Sequence, residues 1–256
     1  MRARLLIGLF AVLGASCSVK EARQDCPCRL ELDLSAFGEV ARQVSLDLDG
    51  EAMERSLRSG DSLTIHTLLK ARDRINVRVW SGVSRMKPDG NVLRVKAGED
   101  SDSLFLFCGD YPGRVERAYV QAVPHKQFAT VTLQLVSRTE GDPSAIRYTV
   151  RGEYGCIDLN QGTPVLGALN IPLPQNLDQC CFRLPRQKAG GLLVLEANDG
   201  KGNRENYSLG QWILDAGYDW NAQDLDDILV AADFVEGEFT VTVNPWIPGD
   251  ALDHTL

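Results

Sequence analysis

Histidine is scarce in this chain of 256 residues, which contains only His66, His125 and His254. None of the three has the spacing of a metal site or of a catalytic triad. The cysteine pairs at 26–28 and 180–181 also differ from the usual C-x2-4-C spacing of zinc sites. We therefore expect no metal site, no cofactor and no enzymatic activity.

The chain also lacks a long apolar run and a basic cluster. The apolar segment Leu5–Leu13 is far shorter than the about 20 residues that a membrane-spanning helix needs. The formal net charge is −8, with no local group of Lys and Arg to offset it. Because binding to phosphates depends on such groups, the composition disfavours nucleic acid as a partner.

The N-terminus carries an export signal. A positively charged start and the apolar run are followed by small residues at 14–16, where a signal peptidase cuts. We predict a signal peptide over residues 1–16, an acylated Cys17 as the first residue of a lipoprotein, and a tether over residues 17–25. The lipid would hold the chain at a membrane, so the protein would act outside the cytoplasm.

One detail leaves ordinary secretion open as the alternative. Leu13 lies one place further from Cys17 than in the usual lipoprotein signal, and Cys17 would then be free or disulfide-bonded. The chain has seven cysteines, which are candidate disulfide partners in an oxidising compartment. Cys28 and Cys108 both lie on the apolar phase of predicted strands, which favours a Cys28–Cys108 bridge.

Apolar and polar residues alternate along most of the chain. In RLELDLS, Leu30 and Leu32 would lie on one face of a strand, with Glu31 and Asp33 on the other. The same pattern begins again at Val44, Leu63, Ile75, Val92, Leu104, Phe128, Ala145, Leu192 and Phe239. Many short strands separated by turn residues predict an all-β fold built from β-sandwiches.

Two segments favour short helices, Glu51–Leu57 and Leu209–Asp215. A closing hairpin is predicted from Ile228–Phe234 and Phe239–Val243. A second hairpin would join the strands that begin at Phe128 and Ala145 across a Gly-Asp-Pro turn.

A domain boundary should not divide a hairpin. The boundary is therefore expected in the stretch between Cys108 and Phe128, which is rich in Gly and Pro. This gives β-sandwich domains over residues 26–123 and 124–256, each of ordinary size.

Two groups have features of ligand sites. An acidic group comprises Asp224, Asp226, Asp227 and Asp233. It could provide paired carboxylates for glycoside hydrolysis, but a solvated turn and strand edge would have the same composition. Tyr218 and Trp220 could stack on a sugar or pack in the core.

Several motifs occur in a characteristic order. The N-terminus has Cys17, a charged tether, the sequence DCPC at 25–28 and an alternating strand. The second half contains FRLPRQ at 182–187, YSLG at 207–210, GYDW at 217–220, DLDDI at 224–228 and a valine-rich strand that closes on Trp246. Together these motifs resemble the FimB-like fimbrial anchor lipoproteins of Bacteroidota.

The resemblance implies two transthyretin-like β-sandwich domains and an outer-membrane lipid anchor at Cys17. It also implies a cell-surface role as the base subunit of a type V pilus, which holds the fimbria to the cell and limits its length. Partner fimbrillin subunits in this class join by strand exchange. The alternative is a surface lipoprotein that binds glycan for a nutrient-uptake system.

Strand exchange places a condition on an anchor. Structural subunits of the resembled system lose their N-terminal strand by proteolysis, which opens a groove. The same cut here would remove Cys17 and its lipid together with RLELDLS at 29–35. An anchor must therefore keep this strand, and the filled groove would end the polymer. The tail Ile247–Leu256 is the candidate donor strand, unless FTVTVNPW is a core strand and the tail is frayed.

Overall fold

The computed structural model describes residues 26–58, 63–70, 72–82, 84–137, 146–175, 179–233 and 238–247. The predictions for residues 1–25, including Cys17, and for the tail beyond Ile247 lie outside the described residues. The elements in chain order are β1 (Cys28–Asp33), α1 (Ser35–Gly38), β2 (Gln43–Leu48), β3 (Glu51–Ser56), β4 (Thr64–Leu69), β5 (Arg74–Trp80), β6 (Met86–Asp89), β7 (Val92–Val95), β8 (Phe105–Pro112), β9 (Arg117–Gln121), β10 (His125–Lys126), β11 (Phe128–Ser137), β12 (Arg147–Gly152), β13 (Cys156–Asp158), β14 (Pro164–Val165), β15 (Leu169–Pro172), β16 (Gln179–Pro185), β17 (Leu193–Asn198), β18 (Arg204–Tyr207), α2 (Leu209–Asp215), β19 (Asp227–Asp233) and β20 (Glu238–Asn244).

These strands pair into sheets that confirm the predicted all-β class and its β-sandwich architecture. The sheets, in the order of their paired strands, are β4-β1-β9, β10-β8-β5-β2-β3, β14-β13-β7-β6, β16-β11-β19-β20 and β15-β12-β17-β18. Alternation explains this outcome, because a strand with one apolar face has to bury that face against another layer.

Buried side chains form two clusters. The first core lies between sheets β4-β1-β9 and β10-β8-β5-β2-β3 and includes Leu30, Phe37, Leu46, Val77 and Val120. The second core is formed mainly by the other three sheets and α2 and includes Leu93, Val131, Val150, Leu195 and Val230. Each core excludes water from the inward face of at least two sheets.

Two strands contribute to both cores. On β5, Val79 lies in the first core and Trp80 in the second. On β8, Phe105 lies in the first core and Leu106 in the second. Successive side chains of a strand point to opposite faces, so the ends of β5 and β8 form a wall that the two cores share.

Strand pairing also crosses the predicted boundary between residues 123 and 124. β7 pairs with β13, with Leu93 opposite Ile157. β10 pairs with β8, with His125 opposite Leu106. The division into residues 26–123 and 124–256 therefore stays a prediction.

The predicted helix over Glu51–Leu57 is wrong, since Glu51–Ser56 forms strand β3. It pairs antiparallel with β2, with Leu48 opposite Glu51. The two loop residues, Asp49 and Gly50, have φ angles of 58° and 93°. An Asp-Gly loop with positive φ at both positions suits a two-residue hairpin. Because Glu51–Ser56 has little hydrophobic periodicity of its own, this turn determines that it forms a strand.

The predicted hairpin between the strands at Phe128 and Ala145 is also wrong. β11 pairs with β16 on one side and with β19 on the other, which leaves no edge for β12. β12 instead lies between β15 and β17 in a different sheet. The closing hairpin is confirmed as β19 and β20, and the second predicted helix is confirmed as α2.

The connection from β5 to β6 depends on a buried carboxylate. Asp102 is 4% exposed and accepts hydrogen bonds from Ser84 Oγ at 2.6 Å and from the backbone N–H groups of Arg85 and Met86, each at 2.7 Å. The chain passes from the first core to the second at this point, so Asp102 stabilises the junction.

We expect Asp102→Ala to lower the free energy of unfolding by about 2–3 kcal/mol, because it leaves two backbone donors without their acceptor. Asp102→Asn keeps the shape and one acceptor oxygen, so its loss should be smaller. Urea denaturation followed by circular dichroism measures both. A change below about 0.5 kcal/mol for Asp102→Ala, which is ordinary for surface positions, would contradict this role.

Candidate assembly interface

Strand β1 occupies the centre of a three-stranded sheet. It pairs antiparallel with β4 over six positions, from Cys28 opposite Leu69 to Asp33 opposite Thr64. On its other side it pairs parallel with β9. β4 and β9 are joined in this sheet only through β1, so β1 fills a slot between them.

The inner face of β1 is fully buried. Cys28, Leu30 and Leu32 are each 0% exposed and belong to the first core. Burying a Leu side chain stabilises the folded state by roughly 1.5–3 kcal/mol. The alternation in RLELDLS thus predicted the correct buried row.

The outer face of β1 is polar and contacts both neighbours. Glu31 Oε1 lies 3.7 Å from Arg29 Nε, 3.7 Å from His66 Nδ1 on β4 and 3.5 Å from Arg117 Nε on β9. Exposed ion pairs of this kind contribute little individually. They do, however, place Glu31 of β1 close to Arg117 of β9, so that opposite charges meet on these two strands.

A second outer contact ties β1 to β9. The Tyr119 hydroxyl donates to Asp33 Oδ2 at 3.2 Å, and the Ser35 N–H donates to Asp33 Oδ1 at 2.9 Å. The Ser35 N–H, with a smaller contribution from Tyr119, lowers the pKa of Asp33, because both donors stabilise its carboxylate. The same hydrogen bond raises the pKa of Tyr119.

The other element of interest is β20, at an outer edge of its sheet. It pairs with β19 over seven positions, from Asp227 opposite Asn244 to Asp233 opposite Glu238. Phe239, Val241 and Val243 face the second core and are only partly buried. Among the described strands FTVTV is therefore an edge strand and not an internal core strand.

The chain is held in place where it leaves β20. The Trp246 ring lies 6.0 Å from the Phe105 ring, and the Trp246 N–H donates to Asp226 Oδ1 at 2.9 Å. Phe105 belongs to the first core, so the C-terminal segment returns to the junction between the two cores.

The acidic group predicted as a candidate for catalysis is structural at three of its members. Asp224 Oδ1 accepts the Lys126 N–H at 2.7 Å. Asp227 Oδ1 accepts Lys126 Nζ and the Thr130 N–H, each at 2.7 Å. Asp226 binds the Trp246 N–H. Asp224 and Asp227 thus tie the start of β19 to β10 and β11, and Asp226 ties it to the chain after β20.

Lys126 and Arg186 are buried cations that the sequence did not predict as such. Lys126 is 2% exposed, and burial lowers the pKa of its ammonium group despite the nearby Asp227. Arg186 Nη1 donates to the carbonyls of Trp220 at 2.6 Å and Ala222 at 2.8 Å. Arg186 belongs to FRLPRQ and Trp220 to GYDW, so these two motifs are in contact. The only signal of this contact in the sequence is that both motifs occur in the same chain.

The aromatic group at 218–220 packs in the core. Tyr218 is 5% exposed and Trp220 is 2% exposed, with ring centroids 4.6 Å apart. The Tyr218 hydroxyl donates to the Asp226 carbonyl at 2.7 Å, and burial raises the pKa of Tyr218. Neither ring is available to stack on a sugar.

The predicted Cys28–Cys108 pair is not joined in the structure. Both are free thiols. Cys28 lies in the first core, whereas Cys108 lies outside both cores, opposite Arg78 of β5. The disulfide therefore stays a sequence-based prediction without support from the geometry.

A polar cleft lies beside β5 and β8. It has a volume of about 340 Å³ and is lined by Asn76, Gly109, Asp110, Asn160 and Gln161. Asn76 donates to Asp110 Oδ1 at 2.9 Å and accepts from Arg78 Nε at 2.6 Å, which fixes the orientation of its amide. Amides and a carboxylate of this kind can bind hydroxyl groups.

The described ranges contain neither a membrane-spanning helix nor a metal-binding group. None of the helices there is long and apolar enough to span a bilayer. The same residues contain no group of three or more His, Cys, Asp or Glu side chains arranged to bind a metal ion.

The strand order and the two cores define the fold of the chain. The chain has the β-sandwich fold found in fimbrial and adhesin proteins of the Bacteroides and Porphyromonas genera. No protein-family model matches the sequence, and no curated protein matches it.

Solved structures provide the particular likenesses. The fimbrial anchor protein Mfa2 of Porphyromonas gingivalis matches with a TM-score of 0.57 and 13% identity, over 87% of this chain and 99% of its own. A candidate polysaccharide-binding protein of Bacteroides thetaiotaomicron matches with a TM-score of 0.58 and 14% identity, over 86% and 96%. A candidate adhesin of Bacteroides ovatus has a TM-score of 0.58 and 10% identity, over 87% and 95%. The resemblance inferred from the sequence motifs is thus confirmed at the level of the fold.

The burial of the thiols predicts which of them react. Cys26 and Cys181 are exposed, whereas burial raises the pKa of Cys28 and of Cys156, and raises that of Cys180 to about 11. Since the thiolate is the nucleophile, iodoacetamide at pH 8 should label the exposed pair first, the half-buried Cys180 more slowly, and Cys28 and Cys156 only in denaturant. Peptide mass spectrometry measures this order, with denatured protein as the control.

The same experiment tests the predicted bridge. If Cys28 and Cys108 form a disulfide, both remain unlabelled in denaturant until a reductant is added. Rapid labelling of Cys28 in the native protein would contradict its burial in the first core.

Proposed function

We propose that this protein is the lipid-anchored base subunit of a type V fimbria. It attaches the pilus to the outer membrane through Cys17 and limits pilus length by strand-exchange capping. The supporting observation is that β1 fills the slot between β4 and β9, with both of its edges paired. The fold that the chain shares with a fimbrial anchor protein supports the same role.

Capping follows from the completeness of this slot. A donor strand has to pair with β4 and β9 and bury a row of side chains in the first core. β1 already does both, with Leu30 and Leu32 fully buried. A neighbouring subunit's strand therefore has no place to enter unless β1 is removed.

Anchoring and capping depend on the same covalent connection. Cys17 precedes β1 in the chain, so any cut between β1 and β2 separates the lipid from the rest of the protein. A subunit that opened its slot by proteolysis would lose its attachment to the membrane. A lipid-anchored subunit of this architecture is therefore an end of the polymer.

The direction of β5 supports a membrane-distal position for the second core. β5 begins at Arg74, opposite Pro112 at the end of β8. β1 begins in the other sheet beside Arg117, the first residue of β9, which follows β8 in the chain. β5 ends at Trp80 in the second core. The start of β1 and the second core thus lie near opposite ends of a strand about 20 Å long.

Glycan binding is the second candidate function, and the polar cleft favours it. The oriented amide of Asn76 and the carboxylate of Asp110 suit hydroxyl groups of a sugar. The fold is also shared with a candidate polysaccharide-binding protein. We place this function second because the described cleft residues do not include an aromatic ring for sugar stacking.

The anchor is tested by Cys17→Ser. Without acyl chains the protein should move from the membrane fraction to the soluble fraction, since multiple buried chains are what make such an anchor stable. Fimbriae should then be shed into the medium. Fractionation, electron microscopy and mass spectrometry of the mature N-terminus measure these effects, and Cys26→Ser is the matched control. Unchanged membrane association would contradict the lipid anchor.

The cap is tested by cutting between β1 and β2. A protease site inserted after Glu39, an exposed residue, leaves β1 held only by noncovalent contacts. After cleavage, fimbrillin donor strands should displace β1, and fimbriae should grow longer and detach. The same site placed between Gly200 and Gly202, in the β17–β18 turn, is the control. Unchanged fimbrial length after complete cleavage would argue against capping.

A further inference from the structure

We propose that the outer edge of β20 binds an extended strand of a pilus subunit by β-sheet augmentation. This inference rests on the proposed function, because it names where the base subunit holds its neighbour. Among the described strands, β19 alone pairs with β20. The β20 residues Thr240–Asn244 present an edge about 17 Å long.

The edge lacks the features that normally prevent strand addition. Proteins protect sheet edges with charged side chains, proline or bulges. From Phe239 to Asn244 the strand has neither a charged residue nor a proline, and its register with β19 is continuous. Its β-branched threonines and valines also suit an extended conformation.

Most other edge strands of the described sheets carry such protection. β3 contains Glu51, Glu54 and Arg55, and β18 contains Arg204 and Glu205. β16 and β15 each end in a proline, and β6 contains Lys87 and Pro88. β9 begins with Arg117, as β20 begins with Glu238, but the inward residues of β9, Ala118 and Val120, are only 8% and 1% exposed. β10 and β14 are only two residues long.

β4 is the other edge without a fixed charge, and burial distinguishes it from β20. On β4, Ile65 is 7% exposed and Leu69 is 3% exposed, so its inward apolar row is closed. On β20, no residue of the inward row reaches that degree of burial, and Val241 and Val243 keep part of their surface exposed. Another strand beside β20 would cover this row.

The chemistry of the edge selects its occupant. A row of backbone N–H and C=O groups is satisfied by another strand, and a lipid surface cannot provide these partners. The half-exposed valines favour a strand with alternating apolar residues. A second copy of this chain is disfavoured, because each copy has a formal net charge of −8 and would repel the other.

The position of the edge agrees with this occupant. β20 packs against the second core, at the opposite end of β5 from the start of β1. A neighbour bound there would lie on the side away from the membrane. Its attachment would not require removal of β1, so the lipid anchor and the pilus contact would coexist.

The test uses the purified mature chain and the pilus subunit of the same cell. Thr240→Lys with Thr242→Lys adds two charges to exposed positions of the edge. The matched control is Gln179→Lys with Asn206→Lys, which adds the same charge at exposed positions of the edge strands β16 and β18. Equal thermal unfolding temperatures for both variants would show that the fold is retained.

We expect the edge variant to weaken binding of the subunit roughly tenfold or more, a difference of about 1.4 kcal/mol, and the control to leave it within about twofold. Amide hydrogen exchange should slow at Thr240–Asn244 when the subunit is bound to the unmodified chain. Both results together would support the proposal.

Three outcomes would overturn it. If the unmodified chain binds the subunit and the edge variant binds equally well, the β20 site is wrong and the base-subunit role stands. If the unmodified chain does not bind the subunit at all, the base-subunit role fails together with the site. If the edge variant instead abolishes self-association of this chain, the occupant is a second copy.

Discussion

The pairing of β1 on both of its edges is the constraint on which the rest depends. β4 and β9 do not pair with each other, so their sheet exists only because β1 lies between them. That sheet covers one side of the first core, and its central strand contributes three side chains with no exposed surface. β1 is also the first described strand after the predicted lipid site, so in the proposed anchor the element that completes the fold would also connect it to the membrane. Stability, attachment and the absence of an open groove would then be properties of one segment.

The shared wall between the cores extends this argument along the molecule. Val79 and Phe105 face the first core, while the adjacent Trp80 and Leu106 face the second. Pulling the second core away from the first would expose apolar side chains of the same two strands. The buried Lys126 also pairs with the partly exposed Asp227, and removing this carboxylate would leave the buried ammonium group without its ionic partner. Force applied at the second core would thus be carried to β5, β8 and the sheet that contains β1 through packed contacts.

Much of the strand content was predictable from the sequence, because alternation depends only on neighbouring residues. RLELDLS and the closing hairpin are examples. The partners of each strand were not predictable in the same way. β11 has an apolar pattern suited to a hairpin, yet both of its edges are taken by distant strands, β16 and β19. Glu51–Ser56 lacks a clear period, and the positive φ angles of Asp49 and Gly50 make it a strand. The buried roles of Lys126 and Arg186 depend on carbonyl and carboxylate groups some 34 to 101 residues away along the chain, which no local pattern contains.

A filled slot and an open edge serve different purposes in the same molecule. Replacing β1 requires breaking two ladders and exposing Leu30 and Leu32, and each buried leucine alone corresponds to roughly 1.5–3 kcal/mol. Adding a strand beside β20 breaks no described pairing and covers valines that are already partly exposed. The first process needs an activating cut, whereas the second needs only a partner of suitable shape. A base subunit that used the first route would lose its lipid. A base subunit that uses the second route can bind a neighbour while it remains attached. This difference explains why an anchor would keep the slot around β1 filled and leave the edge of β20 open to another strand.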